Sequence, residues 1–398
     1  MIAPSSITHP AADAWDAWRE DMPIAQRFAY FDHAAVGPLY GPAARAIERF
    51  AVQASTLGDT VWPTWNDQIT RARQAAADLM DADVDAIAMI PNTTTGINLV
   101  AEGWPWKSGD EVILPEGEFP SNLFPWQNQQ SRGVHIRYVP RRDGAVIVDD
   151  LIDAIGPNTR MIATSWVGYA TGFRVDLDAL VQRAHERGVM VFVDAIQGLG
   201  MFPLSLRQTP IDFLAADGHK WLLGPEGIGV AMIQTKHLDT LRCCNVGWGS
   251  VKNSHDYQHP ELILKSSAAR FECGSPNMVG SGALAESMVH FARIHRQQGP
   301  AAIADRVLDL ASEIADRLQS VGAVVERTNR REHQSGIVPF RFEGMDPVKI
   351  RARALQQDVV TSCRGGGVRV AVHAYNNAAD IDRLVAVADR CRRAPVSA

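Results

Sequence analysis

The chain has 398 residues, of which 46% are hydrophobic and 21% charged, and its formal net charge is −6 at pH 7. This length suffices for a large core and suggests two or three domains. The acidic balance argues against a nucleic-acid surface, and no apolar run is long enough to span a bilayer. The twelve histidines show no metal-binding spacing. Residues 1–10 lack the features of a signal peptide, and five cysteines without a Cys-x-x-Cys pair favour a reducing, cytoplasmic location.

Short apolar stretches alternate with helical patterns from about residue 84 onward. Seven of these stretches are predicted strands: Ala86–Ile90, Glu111–Leu114, His135–Val139, Met161–Ser165, Val189–Val193, Phe213–Ala216 and Ile228–Ile233. One helical pattern covers residues 176–187 and is expected to end at Gly188. The alternation predicts an α/β fold with a mostly parallel, doubly wound sheet, whose ligands bind at the carboxyl ends of the strands.

A second region begins near residue 285. Its predicted helices are residues 301–321 and 379–392, and its predicted strands are residues 323–326, 336–342, 359–362 and 368–372. This pattern indicates a smaller α/β domain with antiparallel strands. We therefore divide the chain into an N-terminal segment that packs with the small domain (1–44), a large ligand-binding domain (45–284) and a small C-terminal domain (285–398).

Lys220 is the most informative residue of the large domain. It lies in the segment 217–221, Asp-Gly-His-Lys-Trp, directly after a predicted strand and before the glycine-rich turn 224–229. A lysine at a strand end can form a Schiff base with the aldehyde of pyridoxal phosphate (PLP) if its pKa is lowered or its amine is desolvated. A lysine that caps a loop is the simpler explanation for this residue alone.

Asp194 strengthens the first explanation, because it follows the neighbouring predicted strand 189–193. Its carboxylate could keep the pyridine nitrogen of PLP protonated, so that the ring accepts electrons. Gln197, three residues further on, could donate a hydrogen bond to the phenolic oxygen of the ring. Taken alone, Asp194 would be explained as the cap of a turn.

Thr93 and Thr94 lie where a predicted strand runs into a helix, in the segment 91–100. Backbone N–H groups at a helix N-terminus, together with two hydroxyl groups, suit a phosphate. A threonine N-cap is the alternative. The segment is not a Walker loop, because no Gly-Lys-Ser/Thr follows it.

Two further residues complete the candidate site. Phe119 follows a predicted strand and could stack on a pyridine ring, although a core position would also explain it. Arg369 is a charged residue in an apolar strand, and a buried arginine needs an anionic partner. That partner is either a substrate carboxylate, held bidentately, or a carboxylate of the protein itself.

Taken together and in this order, the motifs resemble the class V aminotransferase family of fold-type I PLP enzymes. The resemblance is greatest to the branch that contains cysteine desulfurases, selenocysteine lyases and isopenicillin N epimerases. It extends from about residue 30 to residue 387 and implies the fold-type I PLP-dependent transferase fold. Its most specific segments are residues 93–98, 194–197, 218–220, 270–277 and 368–370.

The resemblance implies a role for each candidate residue around the cofactor ring. Lys220 would form the Schiff base and act as acid and base at the substrate Cα. Asp194 would pair with the ring nitrogen, Gln197 would contact the phenolic oxygen, and Phe119 would stack on the ring.

Further roles concern the phosphate, the substrate and the partner subunit. Thr93, Thr94 and His219 would contact the phosphate of the cofactor. Ser275 would reach the phosphate of the other subunit, which implies a homodimer with shared active sites. Arg369 would bind the carboxylate of an amino-acid-like substrate.

Four positions depart from the pattern of the desulfurases in this branch. Phe119 stands where they carry a histidine, Trp166 where they often carry an asparagine, and Asp217 where many carry a phosphate-binding serine. We expect Asp217 to turn away from the phosphate or to hold His219. Cys363 is separated from Arg369 by only five residues, whereas desulfurases carry their nucleophilic cysteine on a long loop, so we interpret Cys363 as a strand residue.

These features favour, by a narrow margin, a desulfurase-like lyase that lacks the persulfide-carrying cysteine loop. An amino-acid epimerase and an aminotransferase remain open, since all three reactions begin with removal of the Cα proton. A non-catalytic α/β protein that binds a small molecule is the alternative from another class, and it would form no Schiff base.

Overall fold

The structure is a computed structural model that describes residues 11–393. The prediction about a signal peptide concerns residues 1–10 and lies outside the described residues. Within the described chain the α-helices are α1 (Ala11–Glu20), α2 (Gly41–Thr56), α3 (Trp62–Met80), α4 (Thr93–Gly103), α5 (Phe124–Asn128), α6 (Val148–Asp153), α7 (Leu177–Glu186), α8 (Met278–Gln298), α9 (Ala302–Ser320), α10 (Pro347–Leu355) and α11 (Ala378–Arg393).

The strands fall into three sheets. They are β1 (Ala29–Tyr30), β2 (Ile87–Ile90), β3 (Glu111–Pro115), β4 (His135–Val139), β5 (Thr159–Ser165), β6 (Met190–Asp194), β7 (Phe213–Asp217), β8 (Gly229–Ile233), β9 (Val324–Val325), β10 (Ile337–Arg341), β11 (Val359–Val360), β12 (Ser362–Arg364) and β13 (Gly367–Ala371). The seven strands predicted for the large domain all form, with ends shifted by one or two residues.

The large sheet has the order β2-β8-β7-β6-β5-β3-β4, and β8 runs antiparallel to both of its neighbours. The other neighbouring pairs are parallel, which confirms the predicted mostly parallel α/β fold. Apolar residues dominate the central strands because both faces of the sheet are covered. Side chains alternate between those faces, so Val191 and Val193 pack in one core cluster and Phe192 packs in the other.

Helix α7 illustrates how local signals fix an element that was predicted from the sequence. Asp176 caps its first turn by accepting a hydrogen bond from the Ala179 N–H at 3.0 Å. Gly188 follows the helix in the left-handed conformation, with φ of 71°. The helix therefore lies within the predicted range of residues 176–187.

The smaller sheet is antiparallel throughout and has the order β12-β13-β10-β9. The stretch 359–362, predicted as one strand, divides into two: β11 pairs with β1 from the N-terminal segment, and β12 pairs with β13. Helix α8 contains residue 285, where the sequence places the boundary between the large and small domains. The division into three parts stays a prediction.

The turn between β12 and β13 consists of only two residues. Gly365 and Gly366 have φ values of 60° and 82°, and Arg364 pairs with Gly367 across the turn. Two consecutive residues with positive φ are typical of the tight type I′ hairpin, a conformation that favours glycine. None of the helices among residues 11–393 is long and apolar enough to cross a membrane.

Candidate active site

A cavity of about 300 Å³ lies where β6 and β7 end and α4 begins. Eight of the nine site residues predicted from the sequence line it: Thr93, Thr94, Phe119, Asp194, Gln197, His219, Lys220 and Arg369. The ninth, Ser275, does not line this cavity and is exposed to solvent. Parallel strands bring Asp194 and the 217–220 turn to the same edge of the sheet, because Asp194 pairs with Ala215 of β7.

Lys220 is almost completely buried, with 9% of its surface exposed. Burial is the main cause that lowers the pKa of its amine to about 8; Asp194 opposes this shift and the guanidinium of Arg369 adds to it. Among residues 11–393 no acceptor lies within hydrogen-bonding distance of its Nζ atom, which lies 5.5 Å from the centre of the Phe119 ring. The amine is therefore held in place by packing and is free to react near neutral pH.

The backbone around Lys220 is tightly fixed. The Gly37 N–H donates to the His219 carbonyl at 2.6 Å, and a β-carbon at Gly37 would lie 2.2 Å from the Lys220 carbonyl oxygen. Only glycine fits there, so the N-terminal segment closes against the lysine turn. Leu223, three residues after Lys220, has a positive φ of 55°, an unusual conformation for a branched side chain.

Asp194 is a buried carboxylate with few partners. Burial raises its pKa to about 7, even though it accepts a hydrogen bond from the Ile196 N–H at 3.1 Å. Within this net shift, the buried carboxylate of Glu118 acts to raise the pKa and Lys220 acts to lower it. Asp194 therefore lacks a full set of donors, and a protonated pyridine nitrogen would supply the missing one.

The Gln197 amide connects three parts of the chain. Its oxygen accepts a hydrogen bond from the Trp221 indole at 2.7 Å, and its nitrogen donates to the Ala34 carbonyl at 2.9 Å. These bonds orient the amide, and the second hydrogen of its nitrogen remains available to a ligand in the cavity.

The N-terminus of α4 opens into the same cavity. Asn92 caps the helix by accepting from the Thr95 N–H at 2.8 Å. The Thr93 hydroxyl accepts from the Asp217 N–H at 2.9 Å, and the Thr94 hydroxyl donates to Ser121 at 2.8 Å. The Thr93 and Thr94 N–H groups belong to the first helical turn, which has no internal partners for its donors. This arrangement suits an anion.

His219 and Asp217 behave as expected from the sequence. The Nδ1 atom of His219 lies 2.8 Å from an Asp217 carboxylate oxygen, but the two are not aligned for a hydrogen bond. The Asp217 carboxylate also accepts weakly from the His219 N–H, at 3.4 Å. Asp217 thus faces His219. The buried Nδ1 atom of His219 has no well-aligned hydrogen bond, and a small movement of the ring on ligand binding would align it with Asp217.

Arg369 has a carboxylate of the protein as its anionic partner, one of the two alternatives that the sequence left open. Only 1% of its side chain is exposed, and it donates to the Tyr169 carbonyl at 2.8 Å and to the Ser362 hydroxyl at 3.1 Å. Its remaining nitrogen pairs with Asp32 at 3.3 Å, and the guanidinium also lines the cavity. A carboxylate of the protein therefore already neutralises this arginine, a contact that sequence reasoning missed.

Other cavity residues were also missed from the sequence. Tyr169 packs edge-on against Phe119, with ring centres 5.2 Å apart, and Arg364 lines the cavity at the end of β12. No motif marks either residue. Trp166, which stands where desulfurases often carry an asparagine, is buried in a core cluster and does not line the cavity; Cys363 does not line it either.

The residues fit PLP in the chemistry of their donors and acceptors. The start of α4 offers donors for a phosphate, Asp194 lacks a donor, and Lys220 presents an amine with a lowered pKa. Among residues 11–393, no group of three or more histidine, cysteine or acidic side chains could hold a metal ion.

The chain is similar to known proteins over most of its length. The family model for class-V aminotransferases matches residues 29–384. A probable cysteine desulfurase from Methanothermobacter thermautotrophicus is 28% identical, covering 92% of this chain and 95% of the relative. Isopenicillin N epimerase from Streptomyces clavuligerus is 28% identical, covering 80% and 83% of the two chains.

Solved structures show the same fold. The apo structure of a cysteine desulfurase from Thermococcus onnurineus superimposes with a TM-score of 0.86 at 24% identity, covering 98% of this chain and 99% of the other. The family match spans most of the chain and includes every candidate site residue, and the comparisons confirm the family, the fold and the cofactor that the sequence predicted. The chain belongs to the class-V aminotransferase family and is a pyridoxal phosphate-dependent enzyme.

Proposed function

We propose that the protein is a desulfurase-like lyase that cleaves a bond at the β-carbon of an amino acid or a derivative of one. The observation that carries the proposal is the burial of Lys220, without a hydrogen-bond acceptor, beside Asp194 in one cavity. The curated relatives described as probable cysteine desulfurases support this reaction class.

Each side chain has a defined task in this proposal. When bound, PLP supplies an electron-accepting ring that stabilises negative charge at the substrate Cα. Asp194 holds the proton of the ring nitrogen, and Lys220 first binds the cofactor and then takes the Cα proton. The lowered pKa of Lys220, about 8, makes the neutral amine available for both tasks.

The polar groups around these two residues orient the ligands. The start of α4, with Thr93 and Thr94, and the neighbouring His219 would hold the phosphate. Gln197 would donate to the phenolic oxygen, and Phe119 would cover the ring. Five candidate groups thus position the cofactor and leave Lys220 free for proton transfer.

Arg369 would hold the carboxylate of the substrate. It is now paired with Asp32 at 3.3 Å, so substrate binding would share or replace that contact. A carboxylate held by two parallel N–H bonds is bound more strongly than this single contact. The carboxylate of Asp32 would then screen the guanidinium of Arg369 in the free enzyme.

The position of Cys363 supports release of the leaving group into solution without prior transfer to a cysteine of the protein. This residue lies on β12, paired with Val368, and a two-residue turn joins β12 to β13. Burial raises the pKa of its thiol, which keeps the thiol protonated. We therefore propose that Cys363 carries no persulfide and that the leaving group departs without transfer to the protein.

An epimerase is the second candidate, and Tyr169 is the observation that favours it. Epimerisation needs an acid or base on each face of the Cα atom, and the Tyr169 side chain lines the cavity together with Lys220. An aminotransferase is open as well, since it needs only Lys220 for proton transfer. A relative described as isopenicillin N epimerase supports the second candidate.

We also propose a homodimer in which Ser275 of one subunit approaches the phosphate site of the other. Ser275 is exposed, and the nearby segment 246–263 exposes large apolar side chains, namely Val246, Trp248, Tyr257, Leu262 and Ile263. Such a patch is typical of a protein interface. Light scattering tests the dimer, and a Ser275→Ala variant that binds PLP as tightly as the parent would contradict the role of Ser275. A cytoplasmic location stays a prediction.

The experiment that tests the reaction uses the PLP-loaded protein and a panel of amino acids in deuterated water. A β-lyase releases pyruvate and the leaving group, for example sulfide from cysteine. An epimerase scrambles the Cα configuration and incorporates deuterium without releasing either product, and an aminotransferase forms the corresponding keto acid.

The cofactor site is tested separately. Borohydride reduction of the yellow holoenzyme, followed by peptide mapping, is expected to place the label on Lys220. A protein that takes up no PLP would instead support a non-catalytic binding protein and sink the proposed reaction.

A further inference from the structure

A second, larger cavity of about 660 Å³ adjoins the candidate active site. Its walls are the turn 142–145, the segment 170–173, strands β9 and β10 and the β12–β13 hairpin. Arg364 lines both cavities, and Tyr169 in the first is followed directly by Ala170 in the second. Arg364 is therefore a wall shared by the two cavities.

The larger cavity is rich in positive charge. Four arginines line it against two carboxylates, namely Arg142, Arg327, Arg341 and Arg364 against Asp143 and Glu326. Arg142 pairs with Asp150, and Arg341 pairs with Glu326 at 3.0 Å.

The other two guanidinium groups have no such partner. Among residues 11–393, no carboxylate lies within 4.0 Å of Arg327 or Arg364. Arg364 donates to the Cys363 carbonyl, and Arg327 donates to the Ser312 hydroxyl at 3.2 Å, while its Nε atom is buried without any acceptor. Arg327 is partly buried, whereas Arg364 is exposed to solvent. A guanidinium without a carboxylate partner offers a planar set of donors to an anionic ligand.

The hairpin geometry sets the distance between Arg364 and Arg369. Ser362 pairs with Arg369 and Arg364 pairs with Gly367. These four positions therefore lie on the same face of the sheet. Arg364 is two residues along β12 from the position opposite Arg369, a separation of about 7 Å along the strand. Gly367, opposite Arg364, packs closely on β10, since a β-carbon there would lie 2.7 Å from the Phe340 carbonyl oxygen.

We propose that the substrate is an elongated amino acid whose side chain ends in a second acidic group, bound by Arg364 in the larger cavity. This inference rests on the proposed function, because it needs the α-carboxylate to be held at Arg369. The apolar lining by Ala170, Phe173 and Pro339 suits the carbon chain between the two acidic groups.

The test measures the affinity of the PLP-loaded protein for matched amino acids by titration calorimetry. The acidic probes are L-glutamate, L-2-aminoadipate and L-2-aminopimelate, and their neutral counterparts are L-norvaline, L-norleucine and L-2-aminoheptanoate. We expect at least one acidic probe to bind about tenfold more tightly than its counterpart, since a hydrogen bond to a charged group contributes about 1.5 kcal/mol or more. The ratio should shrink as the salt concentration rises.

Variants locate the effect. Arg364→Gln should reduce the ratio of affinities to near one, and Arg327→Gln should reduce it partly. The matched control is Arg330→Gln, which removes the same charge from a side chain that is 69% exposed and lies in neither cavity. The control should keep the parent ratio, and PLP content and circular dichroism check that each variant is folded.

Two results would overturn the inference. The first refutes only the acidic subsite, and the second refutes the proposed function as well. Equal binding within all three pairs, or a preference that survives in both Arg364→Gln and Arg327→Gln, refutes the acidic subsite and leaves the proposed function intact. If none of the six amino acids binds or changes the absorbance of the bound cofactor, while the wider panel is also inert, the proposed function fails and the acidic subsite fails with it.

Discussion

Two buried carboxylates lie at opposite ends of two neighbouring strands, and their pKa values are shifted in opposite directions. Asp194 ends β6 at the candidate active site, and Asp212 precedes β7 at the other edge of the sheet. Burial raises the pKa of Asp194 to about 7, because within the described chain its carboxylate accepts a hydrogen bond only from a single backbone N–H. Burial also acts to raise the pKa of Asp212, but its hydrogen bonds outweigh that effect and hold the pKa well below its usual value.

The partners of Asp212 explain the difference. His237 and His185 each lie 2.7 Å from its oxygens, the Lys236 amine lies at 3.0 Å, and the Val191 N–H donates at 2.9 Å. These bonds satisfy the carboxylate and tie β6 to β7 and to the segment after β8. Asp194 and Lys220, in contrast, are buried with unfilled bonding capacity, which is the property expected of groups that bind a ligand or react.

Lys220 in the active site and Lys236 beside Asp212 show the same contrast. Of the substitutions considered, that of Lys220 should have the largest effect, which is on cofactor binding. Lys220→Ala is expected to abolish covalent attachment of PLP, because no other amine lines the cavity in the described chain. The measurement is the absorbance of the holoenzyme together with borohydride labelling. Lys236→Ala is the matched control: it removes a partner of Asp212 and should leave attachment intact. A labelled Lys220→Ala protein would refute the assignment.

Asp212→Asn tests whether that carboxylate is structural. The variant should lower the free energy of unfolding by about 3 kcal/mol at pH 7, because an amide cannot accept from all four donors and leaves buried donors unpaired. The stabilisation exists above the ordinary pKa of 3.8 and is lost as the pH falls below it, so the two proteins should converge in acid. Urea unfolding measures the difference; an unchanged stability at pH 7 would show that the cluster contributes little.

Asp194→Asn should change the free energy of unfolding in the opposite direction, an increase, in the protein without cofactor. Since folding raises the pKa of Asp194 from 3.8 to about 7, the native state loses stability as the pH rises through that window. The uncharged asparagine avoids this loss, so the apo variant should be more stable above pH 7, by up to about 4 kcal/mol, and equally stable below pH 3.8. Urea unfolding at several pH values tests this, and a less stable variant at pH 8 would contradict it.

Cys363→Ala should have the smallest effect. Cys363 lies on β12 outside the active-site cavity, so turnover with the best amino acid should stay within about twofold of the parent while stability changes by about 1 kcal/mol or less. Ser362→Ala, which removes a hydrogen bond to Arg369, is the neighbouring variant with an expected loss of substrate affinity. A folded Cys363→Ala protein without turnover would show that the thiol carries sulfur after all.

Most of the cofactor site could be predicted because its signals are local. Lys220 and Asp194 follow apolar strands, and Thr93 begins a helix after another strand. Parallel strands place their carboxyl ends at one edge, so the sequence order already brings these residues together.

The partners of these residues could not be predicted in the same way. Asp32 reaches Arg369 across 337 positions of the chain, and nothing near Asp32 indicates that contact. The cluster around Asp212 joins residues from three separate segments, and its histidines have no recognisable spacing.

The sequence by itself determined the α/β alternation, the family and the lysine and carboxylate proposed to bind the cofactor, because each depends on periodicity or on a short motif. Only the tertiary structure decided which buried charges are satisfied. Packing of the small sheet against the loops of the large one places Arg364 between two cavities, and the two-residue turn keeps Cys363 on its strand. Burial and hydrogen-bond partners depend on contacts between distant segments, and they separate the structural Asp212 from the reactive setting of Lys220.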